Sequence, residues 1–156
     1  MTEHAHEDEP QSLNRLAFLA TSHCLTGCAI GEILGLAIGT ALDWSNFATI
    51  VLAVVLAFFF GYSFTAVPLL RSGLVLGAAA GVALAADTIS IVVMEVVDNA
   101  IVLAVPGAMD AGLGDALFWG SLALALAIAF AAAYPVNRWL IARGRGHAVV
   151  HPYHHH

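Results

Sequence analysis

The run His23-Cys24-Leu25-Thr26-Gly27-Cys28-Ala29-Ile30-Gly31-Glu32 places an imidazole, two thiols and a carboxylate inside a strongly apolar stretch. Each residue of an α-helix turns by about 100°, so Cys24, Cys28 and Glu32 drift through only about 80° and share one side over roughly two turns. A second set follows in Ala86-Asp87-Thr88-Ile89-Ser90-Ile91-Val92-Val93-Met94-Glu95-Val96-Val97-Asp98-Asn99. With Asp87 as origin, Met94 and Asp98 fall within about 20° of it and Glu95 at about 80°. Cys and Met sulfur suits Cu(I), imidazole suits copper, zinc, iron and nickel, and carboxylates suit harder or borderline cations. The chemistry on offer is therefore metal ligation or proton transfer.

Such groups are costly in lipid, at roughly 2.5 to 3.5 kcal/mol each near midspan on insertion scales, so they face a partner, a cavity or an ion. That cost applies here because the 156 residues are 60% hydrophobic and only 10% charged, with a mean hydropathy of +0.87. A membrane span needs about 20 apolar residues, and four segments qualify: Leu13 to Leu42, Phe47 to Leu70, Leu74 to Val105, and Leu113 to Trp139. The expected fold is all-α, an integral membrane four-helix bundle. It divides into an acidic, His-bearing leader over 1–12, a four-span domain over 13–140, and a basic then His-rich tail over 141–156. The leader precedes a long apolar segment with no small-residue cleavage site, unlike a signal peptide.

Orientation follows from the five basic residues. Arg15 lies at the start of segment one, Arg71 between two and three, and Arg138, Arg143 and Arg145 at or beyond the end of four. The connectors around Asp43 and Asp110 to Asp115 carry no Lys or Arg, so the positive-inside rule places both termini in the cytoplasm. Trp44, Phe47, Phe118 and Trp119 at one boundary, and Phe18, Tyr62, Tyr134 and Trp139 at the other, fit headgroup-level aromatic belts. The acidic net charge gives no reason to expect nucleic acid as a partner. Two cysteines at C-x3-C spacing, facing a reducing compartment, are not expected to form a structural disulfide. The His residues at both ends are candidates for weak metal capture, and His154 to His156 also read as a tag remnant.

Glycines recur every fourth residue at Gly27, Gly31, Gly35 and Gly39, and again at Gly73, Gly77 and Gly81, patterns that let helix backbones approach closely. Segments one and three run in the same direction, so their polar groups compare by depth. Measured from the outer ends, Glu32 lies level with Glu95, and His23 and Cys24 level with Asp87; measured from Arg15 and Arg71, Glu32 falls nearer Asp87. His23 points about 100° from Cys24, as a flanking ligand or a hydrogen-bond partner of a backbone carbonyl. Free Cys is also a common small core residue, so packing alone is the competing reading of the thiols. Segments two and four, with Phe58-Phe59-Phe60 and the Ala/Leu run from Leu122 to Ala133, read as scaffold.

The paired motifs HCxxGCxxGE and ADTxSIxxMExxDN across four spans resemble an uncharacterised bacterial family of small integral membrane domains of unknown function, over roughly Thr21 to Arg145. Related domains occurring alongside multicopper-oxidase-like proteins make copper the family-level implication. The leading expectation is a transition-metal site, copper first and iron or zinc otherwise, drawn from Cys24, Cys28, Glu32, His23, Asp87, Met94, Glu95 and Asp98. It would serve transport across, or handover at, a bacterial inner membrane, in a homo-oligomer with a metal donor or multicopper oxidase as partner, and without enzymatic turnover. Alternatives are a membrane thiol oxidoreductase using Cys24 and Cys28, a proton or cation channel using the buried acids, and an assembly subunit.

Overall fold

The computed structural model describes residues 12–143. The leader and tail histidines and Arg145 lie outside the described residues.

Four helices form the body: α1 (Leu13–Ala41), α2 (Asn46–Arg71), α3 (Leu76–Ala104) and α4 (Ala116–Ala142), with a 3-10 turn at Ala108–Asp110 before the last. All four are long and apolar enough to cross a membrane. The 29 residues of α1 rise by about 1.5 Å each and exceed a hydrocarbon core of about 30 Å. Serine caps start the first two: the Ser12 hydroxyl accepts from the Arg15 amide at 3.4 Å and Ser45 from that of Ala48 at 3.3 Å. Each supplies a partner for a helix-end N–H that has none within the helix. The α1–α2 and α2–α3 connectors are short, and each contains a residue with positive φ, Asp43 (54°) and Gly73 (95°). Short connectors force neighbouring helices to run antiparallel. Helices α1 and α3 are therefore parallel and lie across the diagonal, each flanked by α2 and α4.

At one end of the bundle the Arg138 guanidinium Nε donates to Asn14 Oδ1 at 2.8 Å, tying the end of α4 to the start of α1. Arg71 closes α2 at that same end. The opposite end carries Asp43, Asp110 and Asp115, all of the connectors there being without Lys or Arg.

The two glycine runs have different fates. A Cβ at Gly27 would lie 2.7 Å from the Gly61 amide nitrogen, one at Gly31 would overlap the Ala57 backbone, and one at Gly35 would come within 2.5 Å of Ala53 Cα. The α1 run is thus a backbone-to-backbone seam with α2, continued by Gly39 against Thr49. The expected run before Asp87 does not behave this way. Gly73 belongs to the turn, while Gly77 and Gly81 meet nothing within 4 Å, and the buried small residues of α3 are Ala79, Ala83 and Ala86. The glycines fall on the opposite side of α3 from its alanine stripe, where a missing Cβ opens no contact.

Most of the boundary aromatics point outward, including Phe18, Trp44, Phe47, Trp119 and Trp139. Three do not: Tyr62 and Tyr134 are half-buried against the core, and Phe118 is buried with Ala111 and Leu122, because its position on α4 faces inward over the cavity described below.

Candidate functional site

The polar residues of α1 and α3 meet inside the bundle as a column of pairs. At its basic-end side, Cys24 Sγ donates to Asp87 Oδ1 at 3.7 Å, both residues being 1% exposed. His23 lies within electrostatic reach of the same carboxylate and packs edge-on against Phe64 of α2, ring centroids 5.5 Å apart. One turn further along, Cys28 faces Glu95. A turn beyond that, Glu32 faces Asp98. Successive pairs are offset by four residues on α1, or about 6 Å along the axis.

This spacing separates donors that the sequence grouped together. Cys24 and Glu32 are two turns, or about 12 Å, apart along α1, whereas metal–ligand bonds to sulfur, nitrogen and oxygen run to about 2.0–2.3 Å. One ion therefore cannot bridge Cys24, Cys28, Glu32 and an α3 carboxylate as the column stands. Among the described residues, no group of three or more His, Cys, Asp or Glu side chains is placed to hold a metal ion. What the structure does bring together is sulfur. Cys24, Cys28 and Met94 belong to one core cluster, at 1%, 1% and 0% exposure, with Ala57, Ile91, Ala129 and Ala133 around them. Both thiols are free.

Helices α2 and α4 are more than scaffold. Asn137 of α4 is buried and uses both amide hydrogens, donating to Thr21 Oγ1 of α1 and Ser90 Oγ of α3, each at 2.9 Å. The Thr21 hydroxyl in turn donates to the Ala17 carbonyl at 2.7 Å. One side chain thus ties three helices together beside Cys24 and Asp87. From α2, Thr65 lies beside Asp87, and the Tyr62 and Thr88 hydroxyls share a hydrogen bond of 2.9 Å. An uncharged amide in an apolar helix, as in Ala133-Tyr134-Pro135-Val136-Asn137, is the signal that marks Asn137. Polar groups within spans tend to bond across helices.

At the other end of the column a cavity of about 60 Å³ reaches in from the acidic end of the bundle, lined by Glu32, Asp98, Asn99, Thr49, Ser121 and Met109 among others. Buried Glu32 Oε2, Glu95 Oε1 and Asp98 Oδ1 have no hydrogen-bond partner. Asn99 Nδ2 donates to the Glu95 carbonyl at 2.9 Å and to its carboxylate at 3.4 Å, which leaves the amide oxygen as an acceptor.

Residues 13–146 match the family model of a domain of unknown function, DUF4396. The chain belongs to the DUF4396 family. Neither a curated protein nor a solved structure matches it. The DUF4396 match covers both polar motifs and all four helices, so the column of α1 and α3 pairs lies wholly inside the family domain.

Proposed function

We propose that this protein binds a soft transition-metal ion, Cu(I) first, within its transmembrane bundle and moves it toward or away from the basic end. The observation that carries the reading is the convergence of the Cys24 and Cys28 thiols and the Met94 thioether in one buried cluster, each thiol against a carboxylate of α3. Thiolate and thioether sulfur are the preferred donors of Cu(I). A thiol must lose its proton to ligate, and Asp87 and Glu95 stand where those protons can go. As each S–H bond opens, its proton passes to the facing carboxylate while a sulfur–metal bond forms. Two thiolates and one Cu(I), with two neutralised acids, leave a single net negative charge in the core, less than the cost of separate buried ions.

His23, beside Asp87, extends the path to the basic end, and Glu32 with Asp98 extends it to the cavity. The distribution of Arg15, Arg71, Arg138 and Arg143 supports cytoplasmic termini. In this reading the protein acts in a bacterial plasma membrane, as a homo-oligomer that exchanges metal with a donor or an oxidase.

The test is elemental analysis and Cu(I) competition titration of full-length protein purified on a non-His tag. Cys24→Ser and Cys28→Ser should each lower copper stoichiometry sharply, and binding should weaken as pH falls because protons compete for the same sulfur lone pairs. Met94→Leu conserves volume, so packing should change by less than about 1.5 kcal/mol and the loss of Cu(I) affinity reads the sulfur alone. Unchanged copper in the double cysteine variant overturns the reading. The carboxylate pairs favour a second one, a proton or cation relay. It predicts conduction that survives both cysteine substitutions.

A further inference from the structure

We propose that Asn137 is a positioning residue for Cys24: acting through the Ser90 hydroxyl, it fixes the direction in which the Cys24 thiol hydrogen points, toward Asp87. On the sulfur-site reading, from which this role follows, Cys24 is a ligand that must release that hydrogen. The hydrogen bonds that direct it belong to the protein alone.

Hydrogen counts fix the direction of the chain. A threonine hydroxyl has one hydrogen to give, and that of Thr21 goes to the Ala17 carbonyl at 2.7 Å. Thr21 can therefore only accept from Asn137, so the end of the amide that faces it at 2.9 Å is the NH₂ group and not the carbonyl oxygen. The second hydrogen of the same NH₂ goes to Ser90 Oγ, also at 2.9 Å, which leaves the hydrogen of that fully buried serine free of the amide. Hydroxyls inside helices commonly turn back to a carbonyl of the preceding turn, as those of Thr26, Ser63, Thr88 and Ser121 do here. Ser90 is bonded across the bundle instead, to Asn137 and to Cys24. The Cys24 hydrogen is already directed at Asp87 Oδ1, so between Ser90 and Cys24 the serine is the donor. Every donor thus points the same way, from amide to hydroxyl to thiol to carboxylate, and bonds in such a chain polarise one another. Cys28 is placed differently, facing Glu95 within an apolar cluster that includes Ala57, Ile91, Ala129 and Ala133. Asn137 therefore distinguishes two thiols that stand as equivalents in the sequence.

The infrared S–H stretch of the full-length protein in detergent, recorded after chelator treatment, tests this role, because a hydrogen-bonded S–H absorbs at lower wavenumber than a free one. In Cys28→Ser the remaining band reports Cys24, and in Cys24→Ser it reports Cys28. Adding Ser90→Ala or Asn137→Leu to Cys28→Ser should move the Cys24 band to higher wavenumber, since the donor that polarises the thiol is lost or no longer aimed at it. The same additions to Cys24→Ser should leave the Cys28 band in place, whereas a general loosening of the bundle would shift both. Ser90→Ala removes one hydroxyl and keeps the bond from Asn137 to Thr21, so it decides the matter where Asn137→Leu does not fold. The proposal is overturned if the Cys24 band stays in place in Ser90→Ala, or if the two bands move together. A Cu(I) titration of wild type separates this role from the metal reading. A shifted Cys24 band in a protein that binds no copper would remove the metal site and leave the hydrogen-bond chain standing; copper binding with an unmoved band would remove the role of Asn137 alone.

Discussion

Helices α1 and α3 carry the same two devices, glycines at fourth-residue spacing and a stripe of ionisable side chains, yet the bundle holds them in different ways. The glycines of α1 press directly on the α2 backbone at Gly61, Ala57 and Ala53. Those of α3 face open space, and α3 packs instead through Ala79, Ala83 and Ala86, with side-chain hydrogen bonds that pair Ser90 with Asn137, Thr88 with Tyr62, and Asp87 with Cys24. One helix is fixed by backbone contact along its glycines, and the other by a buried alanine stripe together with a few side-chain bonds. The same sequence pattern thus means a seam on one helix and nothing on the other, and what separates them is only which side of each helix the glycines share.

Three substitutions probe this difference, in decreasing order of effect. Gly31→Leu drives a side chain into the Ala57 backbone, an overpacking that helix separation alone can relieve; the expected cost is about 3 kcal/mol or more. A large drop in the thermal midpoint in detergent would bear out the seam, and a wild-type midpoint would break the comparison. Asn137→Leu removes the two cross-helix bonds that anchor α3 and α1 to α4. At about 0.6 to 1 kcal/mol per interhelical bond, the cost should be about 1 to 2 kcal/mol. Hydrogen exchange or cysteine accessibility should then rise at Ser90 and Cys24 while the α1–α2 seam stays protected. Gly81→Leu adds bulk where nothing lies within 4 Å, so stability should hold within about 0.5 kcal/mol. A shift of this variant to a smaller particle on size-exclusion chromatography would sharpen the comparison differently, by showing that a second copy covers this face of α3.

Some of the architecture was legible in the residues because its causes are local. Hydropathy over about 20 residues fixes a span wherever it occurs, so the four helices begin and end within a few residues of the segments read from composition, and no strand occurs among the described residues. Helical rotation of about 100° per residue likewise determines that Cys24 and Cys28 share a side with Glu32, and Asp87 with Met94, Glu95 and Asp98. The burial of Cys24, Cys28, Asp87, Met94, Glu95 and Asp98 agrees with that reading. Two depth registers between segments one and three were compatible with the connectors, however, and a quarter-turn in either helix would have paired different groups. Only the packed bundle decided that Asp87 meets Cys24, Glu95 meets Cys28 and Asp98 meets Glu32, and that six of the expected donors spread along an axis. Asn137 and the cavity were hidden for the same reason. An amide that bonds to two helices at once, and a void bounded by all four, are properties of distances between segments far apart in sequence. No periodicity within one helix encodes such distances, because they are set by how closely each neighbouring surface allows the next to approach.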